Sequence, residues 1–366
     1  MGEAFPFREA TPMIERGNTM KRTMIAAGLV LAALTIPTAA GASPNTADVW
    51  GSQSGTLVST TPEPVTFPGA VTDIQASNSN SFALVSGTEY AWGDGIDGDN
   101  GNGSKADQFG SPVPVDFPTG TDIVSIGDAA QSGYAVDSTG GAWAWGFSQH
   151  GDHCGGATSS TPEPITGLPP VVAVAGGGNH TIWLTSTGKV YACGLNVDGE
   201  LGNGTFTNSK VPVEVAGLSD VVAISAAWQS SGALTATGQA YTWGYGEDAG
   251  SNADTPQLVP GTFSQLYVGG SVSGNSHDLA LTTGDQIEAW GKGYGNAPVT
   301  VPVPFTPVAV MAGGPESGAI DTLGNVWMWG STYAVGDGSK GKQKQPAKVD
   351  TGKSMLSGTA SNVMAA

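Results

Sequence analysis

The chain has 366 residues, of which 56 are glycine and 23 are proline, while only 12% are charged. This content of turn-forming residues excludes a coiled coil or a helical bundle, and 39% hydrophobic residues are too many for a disordered chain. The net charge is −18 and no arginine follows Arg22, which argues against nucleic-acid binding, because surfaces that bind nucleic acids are rich in Lys and Arg. The composition therefore predicts an all-β globule with no nucleic-acid partner.

The N-terminal segment has the three parts of a secretory signal peptide. Met20-Lys21-Arg22-Thr23 is a basic start, residues 24–34 are apolar, and Ala40-Gly41-Ala42 fits an A-x-A cleavage site. The apolar run is too short for a membrane span. We therefore expect residues 1–42 to be an N-terminal extension and signal peptide, with cleavage after Ala42. The mature chain should be secreted, extracellular or associated with the cell wall, and without a membrane span.

A repeated Trp-Gly dipeptide organises the rest of the chain, with Cys in place of Trp once. The seven copies begin 39 to 53 residues apart, which is the length of one four-stranded propeller blade. We call the first residue of each copy the anchor. The anchors are Trp50, Trp92, Trp145, Cys193, Trp243, Trp290 and Trp329.

Short apolar runs bounded by glycine precede each anchor and indicate strands. Residues 171–175, 181–184 and 189–193 are the clearest set. Runs that alternate with proline follow the anchors, for example residues 112–115 and 211–215. Because proline has no amide hydrogen to donate to a neighbouring strand, these runs predict edge strands.

The two ends of the mature chain are complementary parts of one repeat. Residues 354–366 fit the first two strands of a unit and stop before its Trp-Gly strand, which residues 47–51 supply. A unit completed by both ends closes a ring and removes exposed sheet edges. We therefore predict that residues 43–366 form a single all-β domain, a seven-bladed β-propeller whose last blade is closed by the N- and C-terminal segments.

The repeat resembles that of the regulator of chromosome condensation family of seven-bladed propellers. The family unit combines a Gly-rich turn and a His with Trp-Gly-x-Asn-x-x-Gly-x-Leu-Gly-x-Gly. The best copy here is residues 193–204, preceded by Gly177-Gly178-Asn179-His180, and the resemblance covers about residues 46–366. It implies the propeller fold, whereas function is less determined, because one propeller fold has many roles.

Two branches of that family imply different functions. The eponymous member is a nuclear guanine-nucleotide exchange factor that binds chromatin, which does not fit an exported chain without arginine in its mature part. A secreted bacterial branch includes inhibitors of β-lactamases and shares the predicted compartment. The resemblance to this second branch implies that the protein is bacterial and binds proteins.

Two acidic or His-containing segments resemble metal sites. His150-Gly151-Asp152-His153-Cys154, with Cys193 as a further ligand, has the residue types of a zinc site. Residues 94–103 resemble a calcium loop but lack its closing Glu. The repeat accounts for both segments as loops after an anchor, and we favour that interpretation, with no metal and no cofactor.

Cys154 and Cys193 are the only cysteines of the chain. In an oxidising compartment they would form one disulfide, and the alternative is a pair of free buried thiols. Spacing alone does not decide between them, because disulfide formation depends on geometry.

No catalytic residue is predicted from the sequence. His180 and His277 occupy the same position in two repeats, which indicates a structural hydrogen bond between blades. No Gly-x-Ser-x-Gly nucleophile motif accompanies any His, and no Gly-Lys-Ser/Thr phosphate loop is present.

Aromatic residues lie in equivalent loops just after several anchors. The loops of a propeller that occupy equivalent positions emerge on the same side of the disc, and aromatic side chains are favoured binding residues. The candidate surface residues are Phe147, Tyr245, Trp228, Tyr294 and Tyr333. Packing of these rings on neighbouring blades is the competing interpretation.

These observations predict a secreted, non-enzymatic, monomeric propeller that binds a protein or cell-envelope ligand through loops on one face of the disc. One alternative is an extracellular hydrolase or lyase that degrades a polymer with loop carboxylates at the mouth of the channel. Another is guanine-nucleotide exchange activity, by analogy with the family. The first alternative requires acids that converge in a concave pocket with shifted pKa values.

Overall fold

The computed structural model describes residues 45–53, 56–248, 251–270, 277–330, 335–338, 343–359 and 362–366. These residues form seven four-stranded antiparallel sheets and contain no α-helix. Each sheet holds one anchor and is one blade of a propeller. The fold class predicted from the spacing of the anchors is confirmed.

The strands follow one another in chain order within each of the first six blades. Blade one contains β3 (Val71–Ala76), β4 (Asn80–Val85), β5 (Thr88–Gly93) and β6 (Val113–Pro114). Blade two contains β7 (Ile123–Asp128), β8 (Ser132–Asp137), β9 (Ala142–Gly146) and β10 (Ser159–Ile165). Blade three contains β11 (Val171–Gly176), β12 (His180–Thr185), β13 (Val190–Gly194) and β14 (Ser209–Glu214).

The remaining blades use the same order of strands, apart from the last. Blade four contains β15 (Val221–Ala227), β16 (Ser230–Thr235), β17 (Ala240–Asp248) and β18 (Ser251–Val259). Blade five contains β19 (Phe263–Tyr267), β20 (His277–Thr282), β21 (Ile287–Gly291) and β22 (Gly295–Val301). Blade six contains β23 (Pro307–Gly313), β24 (Glu316–Asp321), β25 (Val326–Gly330) and β26 (Gln343–Asp350). Blade seven contains β27 (Leu356–Gly358), β28 (Asn362–Ala365), β1 (Thr46–Gln53) and β2 (Thr56–Thr66).

Blade seven joins the two ends of the chain. Its strand order is β27, β28, β1 and β2, so a C-terminal hairpin pairs with an N-terminal one. Val49 pairs with Met364 and Trp50 with Val363 across this junction. The predicted closure of the last blade by both termini is therefore correct.

The first strands of the blades surround a central channel. Each contacts the first strand of the next blade, in the order β3, β7, β11, β15, β19, β23 and β27, and β27 contacts β3 again. Residues at the ends of these strands from all seven blades line one mouth of the channel. This closed circuit of contacts establishes a ring of seven blades.

The hydrophobic core is divided among the seven boundaries between neighbouring blades, which we call seams. Each seam holds one cluster of buried apolar residues from both blades, and six of the seven clusters contain an anchor Trp. All seven anchors are buried. The aromatic anchors therefore hold the disc together by hydrophobic burial, which is the dominant favourable contribution to folding.

The glycine after each anchor is required by the backbone. All seven of these glycines have a positive φ, between 87° and 145°. At Gly194 and Gly244 a Cβ atom would also collide with the carbonyl oxygen of Asn179 and Gln229 respectively. A side chain at either position would be strained in two ways, which explains the Trp-Gly pattern.

The Pro-alternating segments 112–115 and 211–215 contribute to outermost strands, as the missing amide hydrogen of proline predicts. Pro114 is in β6 and Pro212 in β14, which are the fourth strands of their sheets. A third Pro-alternating segment, residues 301–304, extends past the end of β22 at Val301.

Candidate functional site

One face of the disc carries the turns between the first and second strands and the connections between the third and fourth strands. In an antiparallel blade these two connections emerge on the same side. Hydrogen bonds join them: the amide of Phe147 donates to the carbonyl of Gln131 at 2.9 Å, and that of Tyr245 donates to Gln229 at 3.0 Å. We call this side the loop face. It contains four of the aromatic residues that the sequence analysis selected, Phe147, Trp228, Tyr245 and Tyr294.

The selected aromatic residues differ in exposure. Tyr245 is 44% exposed and lies in the hairpin of β17 and β18 rather than in a loop. Phe147 is half-buried in the connection that follows β9. Tyr294 packs inwards, with its ring centroid 5.4 Å from that of His277 and its hydroxyl 3.5 Å from Nε1 of Trp329. Tyr333 lies outside the described residues.

Trp228 lies at the mouth of the central channel. Its carbonyl accepts a hydrogen bond from the amide of Gly178 at 2.9 Å, and its ring occupies the space that a side chain at residue 178 would need. The Trp in blade four and the Gly at the equivalent turn of blade three are therefore a matched pair. Trp228 is half-buried, so part of its ring faces the channel mouth.

A compact patch forms on the loop face at the seam between blades three and four, which we call the Asp198 patch. It consists of Val197, Asp198, Gln229, Tyr245 and Asn252. The Asp198 carboxylate accepts hydrogen bonds from Nε2 of Gln229 at 2.6 Å and from Nδ2 of Asn252 at 2.7 Å. Gln229 and Asn252 also bind the backbone of the Tyr245 hairpin, because the Tyr245 amide donates to the Gln229 carbonyl and the Gly246 amide donates to Oδ1 of Asn252.

Blades one and two form the equivalent arrangement, which we call the Asp97 patch. It consists of Ile96, Asp97, Gln131 and Phe147. Nε2 of Gln131 donates to the Asp97 carboxylate at 3.3 Å, and the Gln131 carbonyl binds the Phe147 amide. Blades two and three have Gln149 and His150 at the corresponding positions. The patch therefore occurs at two seams that are separated by one seam without it.

Four large apolar side chains on the loop face are highly exposed. Ile96 is 65% exposed, Val197 55%, Phe206 50% and Tyr245 44%. Sequence reasoning selected only Tyr245 from this group. The signal that finds Ile96 and Val197 is their shared context, an aliphatic residue four positions after the anchor and directly before Asp-Gly-acid. At that point of the repeat, the apolar residue does not enter the core.

Three of the anchors are followed, seven positions later, by a buried acidic residue that lies beneath these loops. Asp99, Asp152 and Glu200 are all buried, and the carbonyls of Asp99 and Glu200 accept hydrogen bonds from the indoles of Trp145 and Trp243. Burial, together with the neighbouring Asp97 and Asp94, raises the pKa of Asp99 to about 8. Burial also raises the pKa of Glu200. These acids have a structural role beneath the patches.

Cys154 and Cys193 form a disulfide, with their Cα atoms 5.3 Å apart. It connects the loop of blade two to the anchor position of blade three. The nearby His153 is buried, its Nε2 lies 3.1 Å from Oγ of Ser132, and its pKa is lowered by burial. Across the described part of the chain, no three His, Cys, Asp or Glu side chains converge to hold a metal ion.

The two histidines that recur in the repeat bind the next blade. Nε2 of His180 lies 2.8 Å from Oγ of Ser231, and Nε2 of His277 lies 2.7 Å from Oγ of Ser317. Burial lowers the pKa of each to about 4. Both are therefore neutral at physiological pH, and the hydrogen bonds between blades that the sequence predicts are present.

Two aspartates on the first strands of their blades, Asp73 on β3 and Asp128 on β7, have perturbed pKa values. Burial raises the pKa of both Asp73 and Asp128 to about 7. The cavity at the channel mouth includes Asp128 but has a volume of only about 80 Å³. Sites for small-molecule ligands usually have about 300–1,000 Å³, so this cavity accommodates a few water molecules.

Comparison with protein families identifies the repeat. Two family models described as the regulator of chromosome condensation repeat match residues 187–234 and residues 171–200. Residues 171–234 therefore match the regulator of chromosome condensation repeat. These matches cover blade three and part of blade four, and they include Val197, Asp198 and Gln229 of the Asp198 patch.

Curated relatives share part of this chain. The ultraviolet-B receptor UVR8 of Arabidopsis thaliana is 33% identical over 150 residues, which are 39% of this chain and 34% of the receptor. The E3 ubiquitin-protein ligase HERC2 of Homo sapiens is 32% identical over 122 residues, which are 32% of this chain and 2% of the ligase. The chain thus matches only a minor part of each relative's length.

Solved structures show the same fold. Human WBSCR16 superposes with a TM-score of 0.78 at 18% identity, covering 88% of this chain and 98% of that one. Prp20p of Saccharomyces cerevisiae superposes with a TM-score of 0.75 at 18% identity, covering 88% and 91%. The latter structure is described together with the binding of Prp20p to Gsp1p and histones.

Within the described residues, no helix is long and apolar enough to cross a membrane.

Proposed function

We propose that this protein is an exported, non-enzymatic propeller that binds another protein or a cell-envelope ligand through its loop face. The observation that carries the proposal is the group of exposed apolar side chains at the Asp97 and Asp198 patches. Exposed apolar residues that cluster on one face mark interaction sites, and rigid aromatic residues are frequent hot spots. The blades that hold these residues are fixed by disulfide and Trp contacts, so the surface is preorganised for binding.

The similar proteins support a binding role. Prp20p has the same fold and binds Gsp1p and histones. The loop face of a propeller suits such binding, because every blade contributes a loop to the same surface. A secreted bacterial member of the family would use this surface on an extracellular partner.

The channel gives less support to a polymer-degrading enzyme. Asp128 is in the cavity and has a raised pKa, but the cavity volume of about 80 Å³ leaves no space for a polymer unit. The acidic composition and the absence of arginine after Arg22 also disfavour a nucleic-acid ligand.

Export is tested by N-terminal sequencing of the protein recovered from culture supernatant and from cells. The mature chain should begin at Ser43 and be found outside the cytoplasm. An intact N-terminus on a cytosolic protein would contradict the proposal and favour the exchange-factor alternative.

The binding face is tested by affinity capture from culture supernatant and envelope extract with matched surface variants. Val197→Ser alters the loop face, whereas Leu323→Ser alters an exposed residue in the turn between β24 and β25, on the opposite face. We expect Val197→Ser to reduce capture of the partner and Leu323→Ser to leave it unchanged. If Val197→Ser captured as much partner as Leu323→Ser and the original protein, the loop face would not be the binding surface.

A further inference from the structure

The Asp198 carboxylate is held in a fixed position and forms no ion pair with any described residue. Its two oxygens accept hydrogen bonds from the neutral amides of Gln229 and Asn252, at 2.6 and 2.7 Å. Among the ion pairs of the described residues, none involves Asp198 or Asp97. Amide donors orient a carboxylate without cancelling its charge, so each patch presents a localised negative charge.

The surroundings of Asp198 suit a long cationic side chain. Val197, directly before Asp198 in the chain, is exposed, and so is Tyr245 in the hairpin bonded to Gln229 and Asn252, while Asp198 itself is half-buried. Lys and Arg side chains place their aliphatic stems on apolar surface and keep the charged end at a polar group. A cation over an aromatic ring gains a further attraction.

We propose that the Asp198 patch is a subsite that takes a Lys or Arg side chain of a partner protein, and that the Asp97 patch takes a second one. This inference rests on the proposed binding function of the loop face and specifies the chemistry of the partner. The guanidinium or ammonium group pairs with the carboxylate, and its stem lies between the aliphatic and aromatic residues.

The duplication of the patch is the second argument. Ile96-Asp97-Gly98-Asp99 and Val197-Asp198-Gly199-Glu200 have the same pattern, and a Gln from the next blade binds the Asp in both. The seam between blades two and three, which separates the two patches, has Gln149 and His150 in place of the aliphatic residue and the Asp. Two subsites on one rigid disc raise the effective affinity for a partner segment with two suitably spaced basic residues.

The test uses an acetylated oligoarginine peptide as the probe and an oligocitrulline peptide of equal length as the uncharged control. Binding to the mature protein is measured by isothermal titration calorimetry. Asp198→Asn removes the charge at the patch. Asp220→Asn removes an equal charge from an exposed residue between β14 and β15, on the opposite face.

We expect Asp198→Asn to weaken binding of oligoarginine about fivefold and Tyr245→Ala to weaken it by a similar factor. Asp220→Asn should change it by less than about twofold, because separated surface charges contribute little. Oligocitrulline should not bind. Thermal unfolding of each variant confirms that the disc is intact, and Tyr245→Ala tests the patch if Asp198→Asn does not fold.

Two outcomes overturn the inference. Equal weakening by Asp198→Asn and Asp220→Asn would mean that oligoarginine responds only to the net charge of −18. Binding of oligocitrulline as strong as that of oligoarginine would mean that the patch does not recognise a cation. If the natural partner is still lost with Val197→Ser but not with Asp198→Asn, the loop-face function stands and only the cationic subsite is wrong.

Discussion

Two neighbouring seams fill the anchor position with different residues. One lies between blades three and four, and the other lies between blades two and three. At the former, the buried indole of Trp243 donates to the carbonyl of Glu200 at 2.8 Å. At the latter, Cys193 occupies the anchor position, and its Sγ lies 3.4 Å from the equivalent carbonyl, that of Asp152. In both seams, the side chain at the anchor position of one blade lies next to the same backbone carbonyl of the preceding blade, seven positions after that blade's anchor. The side chain is an indole in one seam and a cysteine in the other.

The missing indole volume at the second seam is filled in two ways. The disulfide between Cys154 and Cys193 lies in the cluster of that seam, together with the buried ring of Trp183. Trp183 stands on β12, where the equivalent residues of the other blades, such as Ala135 and Ala233, are small. One seam therefore uses a single aromatic anchor, and the other uses a covalent bond with a displaced Trp.

The first way to test this comparison is to remove the aromatic anchor with Trp243→Ala. The variant leaves a large cavity in a cluster that cannot collapse fully, so we expect a loss of about 3–5 kcal/mol of unfolding free energy, measured by urea titration. Trp228→Ala is the control, because that ring is only half-buried. If the two variants lost equal stability, the anchor would have no special role in the seam.

The second test removes the disulfide between Cys154 and Cys193. The double variant Cys154→Ala/Cys193→Ala should lose about 2–4 kcal/mol, because the 39-residue separation no longer restricts the unfolded chain. Reductant should produce a similar loss in the original protein under unfolding conditions and no further loss in the double variant. An unfolding curve of the original protein that does not respond to reductant would contradict this account.

The architecture was predictable because each blade repeats the same local signals. The Trp-Gly dipeptide combines a core side chain with a backbone position that only glycine tolerates, so seven copies predict seven blades. Closure was predictable from residues 47–51 and 354–366, since each is an incomplete unit. The pairing of Cys154 with Cys193 was not, because it depends on the position of one loop over the next blade.

The binding face was less predictable, because exposure depends on how each connection leaves its sheet. Tyr245 and Tyr294 each lie shortly after an anchor, yet the first is exposed and the second packs against His277. Val197 and Ile96 carry no sign of exposure by themselves. Only the superposition of their repeats reveals that an apolar residue recurs at a position outside the core.

The seam between blades one and two differs from the others at the position of Glu89, where it contains a buried carboxyl group. Glu89 is buried on the same side of β5 as Ala91, which packs in that seam. The equivalent residues of the other blades are apolar: Ala47, Ala142, Val190, Ala240, Ile287 and Val326. Burial, and then the neighbouring Asp73, raises the pKa of Glu89 well above 4.5.

Glu89→Gln should therefore stabilise the protein, and the gain should depend on pH. As pH rises above about 4.5, the carboxyl ionises in the unfolded chain but stays protonated in the folded one, so the original protein loses stability up to the folded pKa. We expect a small gain at about pH 4 that grows to about 1–3 kcal/mol near pH 7. Urea titration at several pH values measures it.

Glu63→Gln, at an exposed position of β2, serves as the control and should show no such trend. A gain for Glu89→Gln that is the same at every pH would mean that the substitution improves packing and that the carboxyl is not held protonated.

The smallest expected effect distinguishes an outward aromatic residue from an inward one. Tyr245→Ala removes an exposed ring, so its unfolding free energy should change by less than about 0.5 kcal/mol. Tyr294→Ala removes a ring that contacts His277 and Trp329, so it should cost about 1–3 kcal/mol. Thermal unfolding of both variants in parallel measures the difference. Equal destabilisation would show that Tyr245 also packs against the disc, and the loop face would then lose its principal aromatic contact.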